Sequence, residues 1–86
     1  MAGGAGLWWL ERALPLQGEA PLLVEVPAGS SARGVAQRLN RAGVQSPAWA
    51  LEAWFRLSGQ AQDIKAGVYE VPAGMTPRSL LRRLVA

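Results

Sequence analysis

The sequence predicts an α+β fold in which two short strands form an antiparallel sheet, two helices cover one face of the sheet, and a third helix follows. Two observations support this prediction. The pentapeptide EVPAG occurs at residues 25–29 and again at 70–74, each time at the end of a short β-branched run. The stretch between the two copies contains two segments with apolar residues at helical spacing. The element order is therefore β-α-α-β, followed by α.

The first strand is expected at residues 22–26, LLVEV. Its apolar residues alternate, which puts three side chains on one face of the sheet. They are Leu22, Val24 and Val26. Pro27 then ends the strand because proline has no N–H to donate, and Gly29 permits the positive φ of a tight turn.

The first helix is expected to start after Ser30 or Ser31, either of which can accept a hydrogen bond from a free backbone N–H as the N-cap. Its apolar residues recur every three or four positions and form one stripe. This stripe consists of Ala32, Val35, Ala36, Leu39 and Ala42. Gly43 is expected to end the helix, because glycine is the preferred residue just after a helix C-terminus.

The second helix is expected to have Ser46 as its N-cap, Pro47 in its first turn and Gly59 at its end. The residues that helical spacing places toward the core are Ala50, Leu51, Trp54, Phe55 and Leu57. Both tryptophans of this helix, Trp49 and Trp54, are interpreted as core residues. A polar loop with a single apolar anchor follows at residues 60–66.

The second strand is expected at residues 67–71, GVYEV, with Tyr69 and Val71 on one face. The second PAG then turns the chain, Thr76 caps the third helix, and Pro77 occupies its first turn. The apolar residues of this helix are Leu80, Leu81, Leu84 and Val85. Two strands of this length are marginally stable alone, so the helices must cover the sheet.

The composition excludes several kinds of chemistry. The chain has 86 residues, half of them hydrophobic, which is enough for one small domain. It contains no cysteine and no histidine, which excludes disulfides and removes the commonest metal ligands and the usual bases of serine and cysteine hydrolases. We therefore predict no cofactor and no metal.

Eight of the nine basic residues are arginine, but they are spread over three segments, so no nucleic-acid partner is predicted.

The β-α-α-β order resembles the LysM (lysin motif) fold, a small module that binds glycans containing N-acetylglucosamine. Three stretches resemble more specifically the N-terminal LysM-like region of the endolytic murein transglycosylase family (MltG or YceG-like). They are the PAGSS turn before a capped helix, the AGV turn before SP, and AGVYEVPAGMTPRSLLRRL. The resemblance covers about residues 22–86. It implies a module on the periplasmic side of a single-pass protein of the bacterial inner membrane, acting on peptidoglycan.

The resemblance also implies a domain layout. Residues 1–14, an apolar segment with two adjacent tryptophans before charged residues, are expected to be the membrane-proximal end of a truncated anchor. Residues 15–21, with two prolines and a glycine, are expected to form a linker. Residues 22–71 would be the LysM-like module, and residues 72–86 the turn and the start of a helix that connects to a catalytic domain outside this sequence.

In LysM modules the glycan lies between the loop after the first strand and the loop before the second strand. By position, the resemblance assigns glycan binding to nine residues. They are Pro27, Ala28, Gly29, Ser30 and Ser31 in the first loop, and Gln60, Gln62, Ile64 and Gly67 in the second. Neither loop contains an aromatic residue to stack on a sugar, so we expect weak affinity for peptidoglycan glycan strands.

No catalytic residue is assigned. The catalytic glutamate of the family lies in a downstream domain, so this chain alone is expected not to be an enzyme, although its parent protein would be a lytic transglycosylase. Glu25 and Glu70 occupy matching positions in the EVPAG repeat, and glycoside cleavage often uses two carboxylates. Outward positions on strands are nevertheless where solvated glutamates normally lie.

Two other functions remain open. The module could be structural and orient the catalytic domain relative to the membrane or to proteins of cell-wall synthesis. The two central helices also resemble a helix-turn-helix, whose second helix reads the DNA major groove. That helix begins with Ala48, Trp49, Ala50 and Leu51, which offer no polar side chain to a base edge, and this argues against DNA binding.

Overall fold

A computed structural model describes residues 8–86 and confirms the predicted α+β fold. The elements are β1 (Leu22–Val26), α1 (Ala32–Ala42), α2 (Ala48–Leu57), a short 3-10 turn (Ala61–Asp63), β2 (Gly67–Val71) and α3 (Pro77–Val85). Residues 8–10 add a helical turn before β1. Of the expected membrane-proximal segment, residues 1–7 lie outside the described residues. Within residues 8–86, no helix has the length and apolar character needed to span a bilayer.

Strands β1 and β2 pair antiparallel, with Leu22 opposite Val71 and Val26 opposite Gly67. One face of the sheet is buried and the other is exposed, as the alternation predicts. The buried residues are Leu22, Val24, Val26 and Val71, and they form one core with residues of all three helices. Helix α1 packs on β1, and α2 packs on α1. The sheet therefore has a single covered face.

The repeated EVPAG forms the same turn twice. In each copy the proline carbonyl accepts a hydrogen bond from the N–H three residues later, at 3.3 Å. Gly29 and Gly74 have φ angles of 78° and 88°, in the left-handed region that favours glycine. Ser31 then caps α1, and Thr76 caps α3 with a capping box. The repeat therefore marks the exits of the two strands of one sheet.

The connection between α1 and α2 is held by the Asn40 side chain. Asn40 Nδ2 donates to the carbonyl oxygens of Val44 and Ser46, at 3.0 and 2.6 Å. Helix α2 begins at Ala48 with Pro47 in the cap position and no side-chain cap. The predictions that Ser46 caps α2 and that Pro47 lies in its first turn are therefore wrong. Ser46 is buried, and its carbonyl oxygen is an acceptor for Asn40.

The orientation of α2 differs from the prediction. Leu51 and Phe55 are buried, as predicted. Leu57 is 85% exposed and Trp49 is 74% exposed, so their assignment to the core is wrong. The physical reason is geometric: Leu51 and Phe55 are four residues apart and face α1, whereas Leu57 lies about 120° further round the helix. Trp54 lies between these two faces and is half-buried.

The first residues of the predicted linker are hydrogen-bonded to the module. Leu16 pairs with Val44 in an isolated antiparallel bridge. Gln17 N–H donates to the Gly43 carbonyl at 2.6 Å, and Gln45 N–H donates to the Pro15 carbonyl at 2.7 Å. These bonds place residues 15–17 along the α1–α2 connection.

The same substitution at two positions of α2 tests its orientation. Leu51→Ala should lower the free energy of unfolding by about 2–5 kcal/mol, because it opens a cavity beside α1. Leu57→Ala should change it by less than about 0.5 kcal/mol, because the side chain is exposed. Urea unfolding followed by circular dichroism measures both values. Equal costs at the two positions would contradict the orientation of α2.

Gly43 offers a second test of the packing. Its φ is 126°, and a Cβ there would lie 2.8 Å from the carbonyl oxygen of Gln17. Gly59 also has a positive φ, 75°, but open space surrounds it. Gly59→Ala should cost about 1–2 kcal/mol, from the left-handed backbone alone. Gly43→Ala should cost at least about 1 kcal/mol more, because it also displaces the segment containing Gln17. Urea unfolding midpoints measure the loss of stability in each variant. Equal losses for the two variants would show that the segment containing Gln17 does not pack on Gly43.

Candidate functional site

The two predicted glycan-binding loops leave the sheet at the same end. Val26, the last residue of β1, is the register partner of Gly67, the first residue of β2. The loop at 27–31 therefore begins at this pair, and the loop at 60–66 ends at it. The sheet register, which rests on contacts far apart in the sequence, brings the two groups of candidate residues together.

The first loop presents backbone N–H groups rather than side chains. Ser30 Oγ donates to the Pro27 carbonyl at 2.7 Å, and Ser31 Oγ accepts from Gly34 N–H at 3.0 Å. Both serine hydroxyls are therefore engaged locally. Among the described residues, no acceptor is found for the N–H groups of Ala28, Gly29 and Ser31. All three residues are exposed, so these donors lie on a solvent-facing turn.

The second loop is built around the short 3-10 turn. Gln60 and Gln62 are exposed, while Ile64 is half-buried and packs against the core. Lys65 N–H donates to the Leu84 carbonyl at 2.9 Å, which ties the loop to the end of α3. Within residues 8–86, Ile64 N–H and Ala66 N–H have no protein acceptor. Ile64 thus fixes the loop while the glutamine side chains face solvent.

The two glutamates of the repeat lie on the exposed face of the sheet. Glu25 pairs with Val68, and Glu70 pairs with Leu23, so the two carboxylates are diagonal neighbours. Both residues are exposed. Neither lines any of the clefts described below. This arrangement offers no enclosed, dry site of the kind in which a carboxylate can protonate a glycosidic oxygen.

A second surface was missed by the sequence interpretation. We call it the tryptophan face, and it consists of Trp8, Trp9, Leu10, Trp49, Ala53, Trp54 and Leu57. Trp9, Leu10, Trp54 and Leu57 line an almost wholly apolar cleft of about 310 Å³. The sequence contained a signal for this surface. Eight of the ten residues of α2 are apolar, which is more than one buried face of a helix requires.

Charged groups surround the tryptophan face. The Arg12 guanidinium carbon lies 4.1 Å from the centroid of the Trp8 ring, a cation–π contact. Glu52 and Arg56 form an ion pair at 2.8 Å along the edge of α2. Trp8, Trp9 and Arg12 also line a cleft of about 360 Å³ that reaches Pro47, the cap residue before α2, and Pro77, the first residue of α3.

The N-terminal turn is fixed to the module by two polar contacts. Arg78 Nε contacts Glu11 Oε1 at 2.8 Å, and Leu14 N–H donates to the Met75 carbonyl at 2.7 Å. Leu14 itself is buried. Although the exposed ion pair adds little free energy, together these contacts hold the Trp8–Trp9 turn beside α2 and α3.

A protein-family model described as the YceG-like family matches residues 24–86. The comparisons with curated proteins and with solved structures gave no match. The family is associated with murein lytic transglycosylases and with the cell envelope. The match covers both EVPAG copies and all three helices, and it confirms the family resemblance noted in the sequence.

The two tryptophans of α2 should respond differently to the same substitution. Trp54 Nε1 donates to the Pro77 carbonyl at 2.9 Å and so links α2 to the start of α3. Trp54→Phe removes this donor and should cost about 1 kcal/mol of unfolding free energy. Trp49→Phe should cost less than about 0.5 kcal/mol, because Trp49 is exposed. Urea unfolding measures both, and a larger loss from Trp49→Phe would contradict these placements.

Proposed function

The chain belongs to the YceG-like family, and on this basis we propose that it is a non-catalytic, glycan-associated module of a murein lytic transglycosylase. In this proposal the module lies on the periplasmic side of the bacterial inner membrane and contacts peptidoglycan through its two loops. Another domain of the same protein cleaves the glycan strand, and an N-terminal anchor holds the protein at the membrane.

The observation that supports glycan contact is the set of unpaired backbone donors at one end of the sheet. The N–H groups of Ala28, Gly29, Ser31, Ile64 and Ala66 have no protein acceptor among the described residues. The acetamido groups of N-acetylated sugars carry carbonyl oxygens that accept hydrogen bonds from such N–H groups. Gly29 has no neighbouring atom within 4 Å of an ideal Cβ position, so a sugar can approach the backbone closely.

The same loops limit the affinity. They contain no aromatic side chain, and the hydroxyl groups of Ser30 and Ser31 are engaged within the loop. Gln60 and Gln62 are the two exposed polar side chains that remain among the nine candidate residues. A dissociation constant of about 1 mM, equivalent to about 4 kcal/mol, fits so few contacts. The proposed role is therefore to keep an enzyme near its polymer rather than to hold one chain tightly.

The exposed positions of Glu25 and Glu70 support the non-catalytic part of the proposal. A general acid in glycoside cleavage works in surroundings that favour its protonated form. Both glutamates instead lie on the outer face of the sheet, in contact with solvent. The proposal therefore gives them no part in the reaction.

A second candidate function is supported by the tryptophan face. In this alternative the module orients the catalytic domain relative to the membrane or to proteins of cell-wall synthesis, and glycan contact is secondary. The exposed side chains of Trp49 and Leu57 favour a surface that contacts a membrane or another protein. The same exposed apolar side chains argue further against a helix-turn-helix that reads DNA with α2.

Titration with chitin oligomers tests glycan binding. Amide resonances of residues 27–31 and 60–67 should shift in heteronuclear NMR spectra at millimolar ligand, because the proposed contacts are made by backbone N–H groups. Gln60→Ala combined with Gln62→Ala should weaken these shifts several-fold.

The matched control is Gln17→Ala combined with Gln37→Ala, which removes two exposed amides away from both loops. This control should titrate like the unchanged chain. Absence of shifts in both loops at millimolar ligand would overturn the glycan proposal.

A further inference from the structure

We propose that the tryptophan face docks on the surface of an anionic phospholipid bilayer, with α2 lying parallel to the membrane plane at the level of the headgroups. This contact is separate from an anchor that crosses the membrane, and it does not depend on glycan binding. It assigns a role to the exposed side chains of Trp8, Trp49 and Leu57, which neither the core nor the two loops use.

The first argument is the spacing of exposed apolar residues on α2. Trp49, Ala53 and Leu57 are four residues apart and lie on one side of the helix. Trp49 and Leu57 are 74% and 85% exposed, so nothing within the described residues covers them. The stripe is about 12 Å long, since a helix rises about 1.5 Å per residue. An apolar stripe on a helix that faces water is the geometry of an interfacial helix.

The second argument is that the stripe continues onto the N-terminal turn. Leu10 and Leu57 line the same apolar cleft, together with Trp9 and Trp54. Trp8, next to Trp9, is 61% exposed. The apolar surface is therefore wider than one helix, and the contacts of Glu11 and Leu14 with the module keep its two parts together.

The third argument is chemical. Tryptophan concentrates at the boundary between lipid headgroups and hydrocarbon, because its ring is apolar while its N–H can bind water or a headgroup. Arg12 lies over the ring of Trp8, and Arg82 lines a cleft with Trp54 and Arg78. Arginine donors suit phosphate oxygens, and the long side chains of arginines can reach headgroups while the rings insert.

The distribution of charge favours an anionic surface. Near the tryptophan face are four arginines, Arg12, Arg56, Arg78 and Arg82, and two glutamates that pair with two of them. The outer face of the sheet carries Glu25 and Glu70 instead. The whole chain has a formal charge of +3. An anionic bilayer would thus attract the chain and favour contact through the tryptophan face.

The test is sedimentation of the full chain with large vesicles, either of phosphatidylglycerol mixed with phosphatidylcholine or of phosphatidylcholine alone. Binding should be stronger to the anionic vesicles and should weaken as salt is raised. Trp49→Ser combined with Leu57→Ser should weaken binding to anionic vesicles by at least about tenfold, because it removes the most exposed apolar side chains. Both positions are exposed, so the variant should keep its circular dichroism spectrum.

The matched control is Leu23→Ser combined with Val68→Ser. These residues are 64% and 67% exposed and lie on the outer face of the sheet beside the glutamates. The control should bind vesicles like the unchanged chain. Every variant retains residues 1–7, so the differences report on the tryptophan face and not on that segment.

Three results would overturn the proposal. The first is that the Trp49 and Leu57 double variant binds anionic vesicles as well as the unchanged chain does. The second is that the unchanged chain does not sediment with these vesicles. The third is a dimer in analytical ultracentrifugation that the double variant abolishes, without vesicle binding; the tryptophan face would then be covered by a second copy of the chain.

Discussion

The structure depends on covering one face of a two-stranded sheet. Two five-residue strands bury too little surface to be stable alone, so the four apolar residues of their inner face need a helix above them. Helix α1 supplies this cover with a stripe of four buried residues, and α2 packs against α1 and buries Leu51 and Phe55 in the same core. Trp49 and Leu57 of α2 lie outside this core and are exposed.

This packing explains which parts of the fold could be predicted from the sequence. The strands, the two PAG turns and the caps Ser31 and Thr76 depend on neighbours within a few residues, and their residue types determine them. The orientation of α2 depends instead on which of several apolar stripes meets α1. Its sequence has apolar residues on almost every side, so helical spacing alone could not separate Leu51 from Leu57.

Two further differences between prediction and structure arise from contacts with residues outside the short segment on which each prediction was based. Ser46 lies in a good N-cap position by residue type, but the Asn40 side chain draws the backbone of this connection toward α1 and the helix starts later. Residues 15–17, at the start of the expected linker, pair with residues 43–45, and local composition does not predict this pairing. The candidate loop residues were assigned by their position in the sequence and remain a prediction, whereas the pairing of Val26 with Gly67 puts the two loops at one end of the sheet.

The two proposed contact surfaces meet at Gln60. This residue belongs to the second loop and also lines the cleft that contains Trp54 and Arg82. The Cα atoms of the module extend over 37 Å along its longest axis, so a glycan held at the loops would lie within roughly that distance of a membrane that meets the tryptophan face. Weak glycan contact is sufficient to keep the module at the glycan in such an arrangement. The membrane confines the module near glycan strands that run beside it, and this raises their local concentration. A module of this kind would set the height and tilt of an attached enzyme above the membrane, a function that needs neither a deep pocket nor a catalytic carboxylate.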